Sequence, residues 1–76
     1  MNNKRRSAVR DVIKALTKAG NDLSDIAFQE QDCIDNMPEN LQMSEQVEKM
    51  EDCVNGLQES VSMIDEAINV VLDVIQ

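Results

Sequence analysis

The sequence predicts an all-α chain: an antiparallel two-helix hairpin that self-associates into a four-helix bundle or a larger helical oligomer. Three observations predict it. From Val47 onward, apolar residues fall at Val47, Met50, Val54, Leu57, Val61, Ile64, Ile68, Val71 and Ile75. Those steps of three and four are the period of a helix burying one stripe, not of a strand. A second helical pattern fills the first half of the chain. Between the two stands Pro38, the single proline in 76 residues.

The first helix is expected over about residues 4–36, with Met1 to Lys4 frayed. One row is Val9, Leu16, Leu23, Glu30 and Met37; beside it lie Val12, Ala19, Ile26 and Cys33, and also Ile13, Gly20, Ala27 and Ile34. Together they form a stripe about three positions wide per heptad, as on a core-facing bundle helix. Gly20 weakens the helix by about 1 kcal/mol relative to Ala. A break at Gly20-Asn21, with Asn21 or Asp22 capping a new helix, is the alternative. The stripe keeps its phase across Gly20, so one continuous helix is the reading. Glu30 falls on a core row and is expected to reach past the seam edge or to meet a cation across an interface.

The loop is expected at residues 37–43. The residue before a proline is driven out of the α region, which ends the first helix. Asn36 suits a left-handed cap there, and Pro38 to Leu41 suits a single helical turn with proline near its start. Ser44 is read as the N-cap of the second helix, residues 44–75, with Glu45 and Glu48 placed well against its dipole. A loop this short makes the two helices antiparallel neighbours.

A chain of this length buries only about 60% of its unfolded surface and is marginal alone. There is no Trp, no Tyr and one Phe, so the core is aliphatic. With no His, and two Cys twenty positions apart, no zinc pattern exists and no cofactor is expected. The wide stripes, with Ala67, Val70, Leu72 and Val74 added on the second helix, exceed what one hairpin hides. Self-association, as a homodimer or higher oligomer, is therefore expected. Cys33 and Cys53 are read as buried small apolar residues rather than a bridge or a nucleophile.

The formal charge is −8 and unevenly placed. Residues 1–18 hold six cations and one anion, and residues 19–76 hold one cation and fourteen anions. No apolar segment follows the basic start, and no run is long enough to cross a bilayer, so a cytoplasmic protein without membrane contact is expected.

Two charged features are candidate binding surfaces. Glu45, Asp52, Glu59, Glu66 and Asp73 stand one heptad apart, a line of carboxylates about 10 Å from one to the next. This line reads either as a solvated face that keeps the bundle soluble or as mimicry of a nucleic-acid backbone that occupies a basic protein; its spacing is wider than that of phosphates along a DNA strand. Lys4, Arg5, Arg6, Arg10 and Lys14 cluster on the first turns. They read either as pairing with Asp65, Glu66 and Asp73 of the antiparallel neighbour or as an anion or nucleotide site in an oligomer. Neither a glycine-rich phosphate loop nor aromatic stacking residues accompany them, so direct nucleic-acid binding is not expected. Phe28, the one aromatic, lies off the core rows, where it reads either as an ordinary exposed side chain or as an anchor for a partner or a second copy. No His is present and no Ser has an adjacent base, so no enzyme is expected.

The segment Asp35-Asn36-Met37-Pro38-Glu39-Asn40-Leu41-Gln42, with Ser44-Glu45 and Glu48-Lys49-Met50-Glu51, resembles uncharacterised small acidic helical proteins of bacteriophages and prophages. Those carry an Asp-Asn-Leu-Pro-Glu-x-Leu-Gln loop, and the Lys-Arg-Arg start is also similar. The chain differs from them at Ile34, where they have an aromatic, and at Gln46-Val47, where they have Arg-Gly. The resemblance implies a phage accessory protein acting in the bacterial host cytoplasm, with a host or defence protein as partner. Three readings follow: a non-enzymatic binding protein, an oligomeric sponge for a nucleotide signal, and a structural or assembly protein.

Overall fold

A computed structural model describes all residues, 1–76. It is a helical hairpin without strands. Helix α1 runs Asn3–Asp35, a 3-10 turn covers Glu39–Leu41, and helix α2 runs Glu45–Ile75. The two helices lie side by side along their length, in a rod with Cα extents of 60 × 15 × 12 Å.

Helix α1 begins earlier than expected. The side chain of Asn2 accepts a hydrogen bond from the Arg5 N–H at 2.8 Å, so the first turn is capped rather than frayed. The helix passes through Gly20 without interruption. At its end, Asn36 is not left-handed; its φ of −94° and ψ of 2° keep the chain turning. Its amide instead donates to the Asp32 carbonyl at 2.8 Å, which satisfies an acceptor the helix would leave open. Pro38 then takes an extended conformation, φ −54° and ψ 143°, and opens the 3-10 turn.

Two side chains close the loop. The Val47 N–H donates to Ser44 Oγ at 3.3 Å, the expected cap of α2. The Gln42 amide donates to the carbonyls of Ile34 and Met37, both at 2.9 Å. One loop residue thus ties the end of α1 to the connection.

Lettering the heptads with Ile13 and Val47 at position a, the half-buried and buried residues of the helices are the a and d rows, joined only by Gln31 at e and Ser60 at g. That is the seam of a two-stranded coiled coil. Gly20 abuts Ile64: a Cβ added at Gly20 would stand 3.4 Å from Ile64 Cγ2. This fixes the register, and successive heptads set Ala27 at the height of Leu57 and Ile34 at that of Met50. Only Gly20, Ala27, Ile34, Val47 and Val54 are buried, so the thickest part of the core is at the loop end. There Ile34, Val47 and Val54 pack with Met37 and Met50. Glu30, on the d row, is half-buried and makes no ion pair.

The wide stripe expected on α1 is divided in two. Its a and d rows face α2, whereas Val12, Ala19, Ile26 and Cys33, all at position g, are exposed. Cys33 and Cys53 are free and exposed, correcting the expectation of buried thiols. The reason is geometric: both are g residues at the seam edge, and a single partner helix covers only a and d.

Candidate partner-binding surfaces

In a coiled coil the e and b rows look to one broad side and the g and c rows to the other. Phe28, at position b, belongs to the first side and is 72% exposed. It borders a recess of about 250 Å³ lined by Ser24, Ala27, Gln31, Gln58 and Val61. Ser24 and Gln31 at e of α1 stand across the seam from Gln58 at e of α2, and Ala27 and Val61 form the floor. Ser24 is the one short side chain among the three, and no side chain bridges the gap beside it. The Gln31 amide is held toward Asp35 Oδ1 at 3.0 Å, whereas Gln58 makes no hydrogen bond to the protein. The site therefore offers an aromatic ring, an apolar floor and a free amide, which suits an apolar side chain carried on a hydrogen-bonding backbone.

The acidic line forms as expected. Glu45, Asp52, Glu59, Glu66 and Asp73 occupy the f row of α2 and all are exposed. Only Glu45 meets a cation, Lys49 Nζ at 3.7 Å. Phe28 and the acidic line are carried on different helices, and the recess beside Phe28 includes none of the five carboxylates.

The basic start is arranged differently from the expected pairing. Lys4, Arg5, Arg10 and Lys14 are exposed and Arg6 is half-buried, but no ion pair crosses from them to Asp65, Glu66 or Asp73. The two ion pairs of the hairpin, Lys18–Asp22 at 2.6 Å and Lys49–Glu45, are each between successive turns of one helix. The physical reason lies in the rows: Lys4 is at f, Lys14 at b and Arg10 at e, so the cations fan around α1 instead of lining the seam. Arg6 bonds within its own helix, to Asn3 Oδ1 at 3.3 Å. Lys18 is held above the ordinary lysine pKa of 10.5, first by its hydrogen bond to Asp22 and then by that carboxylate's charge.

Sequence reasoning missed the loop tip. Met43 is 97% exposed and Leu41 41% exposed. Met43 edges a second hollow, with Gln42, Ser44, Val47, Glu48 and Glu51. The only signal was two apolar residues in a turn that a helical period does not explain.

No group of three or more His, Cys, Asp or Glu side chains is placed to hold a metal ion. No helix is long and apolar enough to cross a membrane. Comparisons with protein-family models, curated proteins and solved structures found no match.

Proposed function

We propose that this chain is a non-enzymatic binding protein, a self-associating helical hairpin that captures a protein partner on the Phe28 face. The observation that carries the reading is Phe28 itself, the single aromatic, 72% exposed beside an apolar-floored recess. A large aromatic standing in water beside a hollow gives up its exposed area only when something covers it, and such residues dominate binding energy at interfaces. The carboxylate row on α2 supports a partner with a basic rim, because fourteen of the fifteen acidic residues fall after residue 18. The loop resemblance supports a phage accessory role in the host cytoplasm, with a host or defence protein bound and blocked.

The test is capture from bacterial lysate with the immobilised chain, compared with Phe28→Ser and with Asp52→Asn/Glu59→Gln/Glu66→Gln. The reading expects Phe28→Ser to lose most of the captured protein and the charge variant to weaken capture as added salt does. Unchanged capture by both would refute the surfaces named here. Titration with cyclic and linear nucleotides checks the sponge reading; heat abolished by Lys4→Ala/Arg10→Ala would replace the present one.

A further inference from the structure

The broad side opposite Phe28 is uncharged over most of its length. It consists of Val12, Ala19, Ile26 and Cys33 on α1, with Cys53, Ser60, Ala67 and Val74 at g of α2. Beyond these, Gly56, Met63 and Val70 continue the surface at position c. Val12, Ile26, Met63, Val70 and Val74 are between 49% and 64% exposed. In a chain that is 29% charged, the g and c rows carry only Arg5, Asp22 and Lys49. The remaining charges lie on the b, e and f rows, apart from Arg6 and Glu30 on the seam and Glu39 in the loop. Nothing stands within 4 Å of a Cβ added at Gly56, so the hairpin itself makes no use of the missing side chain.

We propose that this face is the interface between two copies of the chain, laid side by side with their loops at opposite ends. The proposal rests on the self-association in the function above and specifies its face and direction. Two observations choose a second copy as the occupant. The face is about as long and broad as the rod, 60 by 15 Å, which gives each copy an area near the roughly 800 Å² per partner of a stable interface. The second is charge. The half of the rod at the free ends, residues 1–19 with 65–76, carries six cations and four anions; the loop half, residues 20–64, carries one cation and eleven anions. Loops at the same end would set the two strongly acidic halves together. Loops at opposite ends set each acidic half beside a weakly basic one.

A twofold axis across the rod also lays α1 over α1. Residues 1–18, with a balance of +5, then face residues 19–36 of the other copy, which carry five anions and no cation. Such an interface is isologous, so each favourable pairing occurs twice. The Phe28 face stays outward on both sides of the bundle.

The test uses a nitroxide label at Glu39→Cys, on the loop, with Cys33→Ala and Cys53→Ala to leave one label per chain while keeping the face apolar. Opposed loops predict a label separation close to the 60 Å length of the rod. Loops at one end predict a separation within about 20 Å, two helix layers, and would overturn the proposal. So would the absence of any dipolar signal together with a single-chain mass, since the face would then await some other occupant. A second arm is Met63→Lys, at the middle of the face and clear of the seam, against Asn21→Lys, exposed at position b on the opposite side. Met63→Lys is expected to weaken self-association about a hundredfold by burying an unpaired charge, and Asn21→Lys to leave it unchanged. The reverse order would overturn the choice of face. Partner capture through Phe28 uses the other side, so its loss and the loss of this interface are separately visible.

Discussion

Gly20 is the residue where backbone preference and packing can be separated. Glycine inside a helix costs about 0.5–1 kcal/mol relative to alanine. The position is buried, yet an added Cβ would meet Ile64 at 3.4 Å, an ordinary van der Waals distance. Gly20→Ala is therefore expected to raise the melting temperature, by about 2–8 °C in a domain of this size. A fall would mean that the seam closes more tightly at that layer than the geometry gives. Ile34, 3% exposed in the densest part of the core, is the opposite case. Ile34→Ala is expected to cost about 2–5 kcal/mol, measured by urea unfolding. At Lys18 the ion pair with Asp22 is exposed on both sides. A lysine whose pKa is raised on folding favours the folded chain below its ordinary value, and that contribution fades as the pH climbs past the raised one. Exposure and salt reduce it to little, so Lys18→Ala should leave the melting curve at neutral pH where it was.

At the scale of elements, the two helices and the bend were legible because each is written in local chemistry. The three-four spacing from Val47 to Ile75 specifies α2 on its own, and Pro38 with Ser44 specifies where one helix stops and the next begins. Ser44→Ala is expected to lose about 1 kcal/mol of stability and Ser44→Asp to keep most of it, because a carboxylate both accepts the Val47 N–H and suits the helix dipole. Thermal unfolding of the two variants beside the parent checks this. The part played by Gln42 was not legible. Its two hydrogen bonds run to carbonyls five and eight positions back, and only the folded loop brings Met37 and Ile34 within its reach. Asn2 was overlooked for a different reason: a capping residue signals most clearly before an apolar run, and here charged residues follow it. The stripe on α1 was legible as apolar but not as two surfaces. Val12, Ala19, Ile26 and Cys33 differ from their seam neighbours only by one position, and their separation depends on how many helices surround α1.

For the whole molecule, the same question decides both stability and function. Four of the five buried residues lie from Ala27 to Val54, so the free-end half of the rod is held by half-covered side chains alone. A second copy on the g and c face would cover Val12, Val70 and Val74 in that half and supply the burial one hairpin lacks. Candidate sites were legible where side-chain type is rare, as with Phe28, or regularly repeated, as with the acidic row. The recess beside Phe28 was not, since it arises where three uncharged polar e residues meet across a register that only the Gly20–Ile64 approach fixes. The most direct measurement is sedimentation equilibrium over a wide range of chain concentration, with helix content followed in the same samples. The account predicts a species of twice the 8.5 kDa chain mass that dissociates on dilution with loss of helix. A fully helical single chain at every concentration would contradict it.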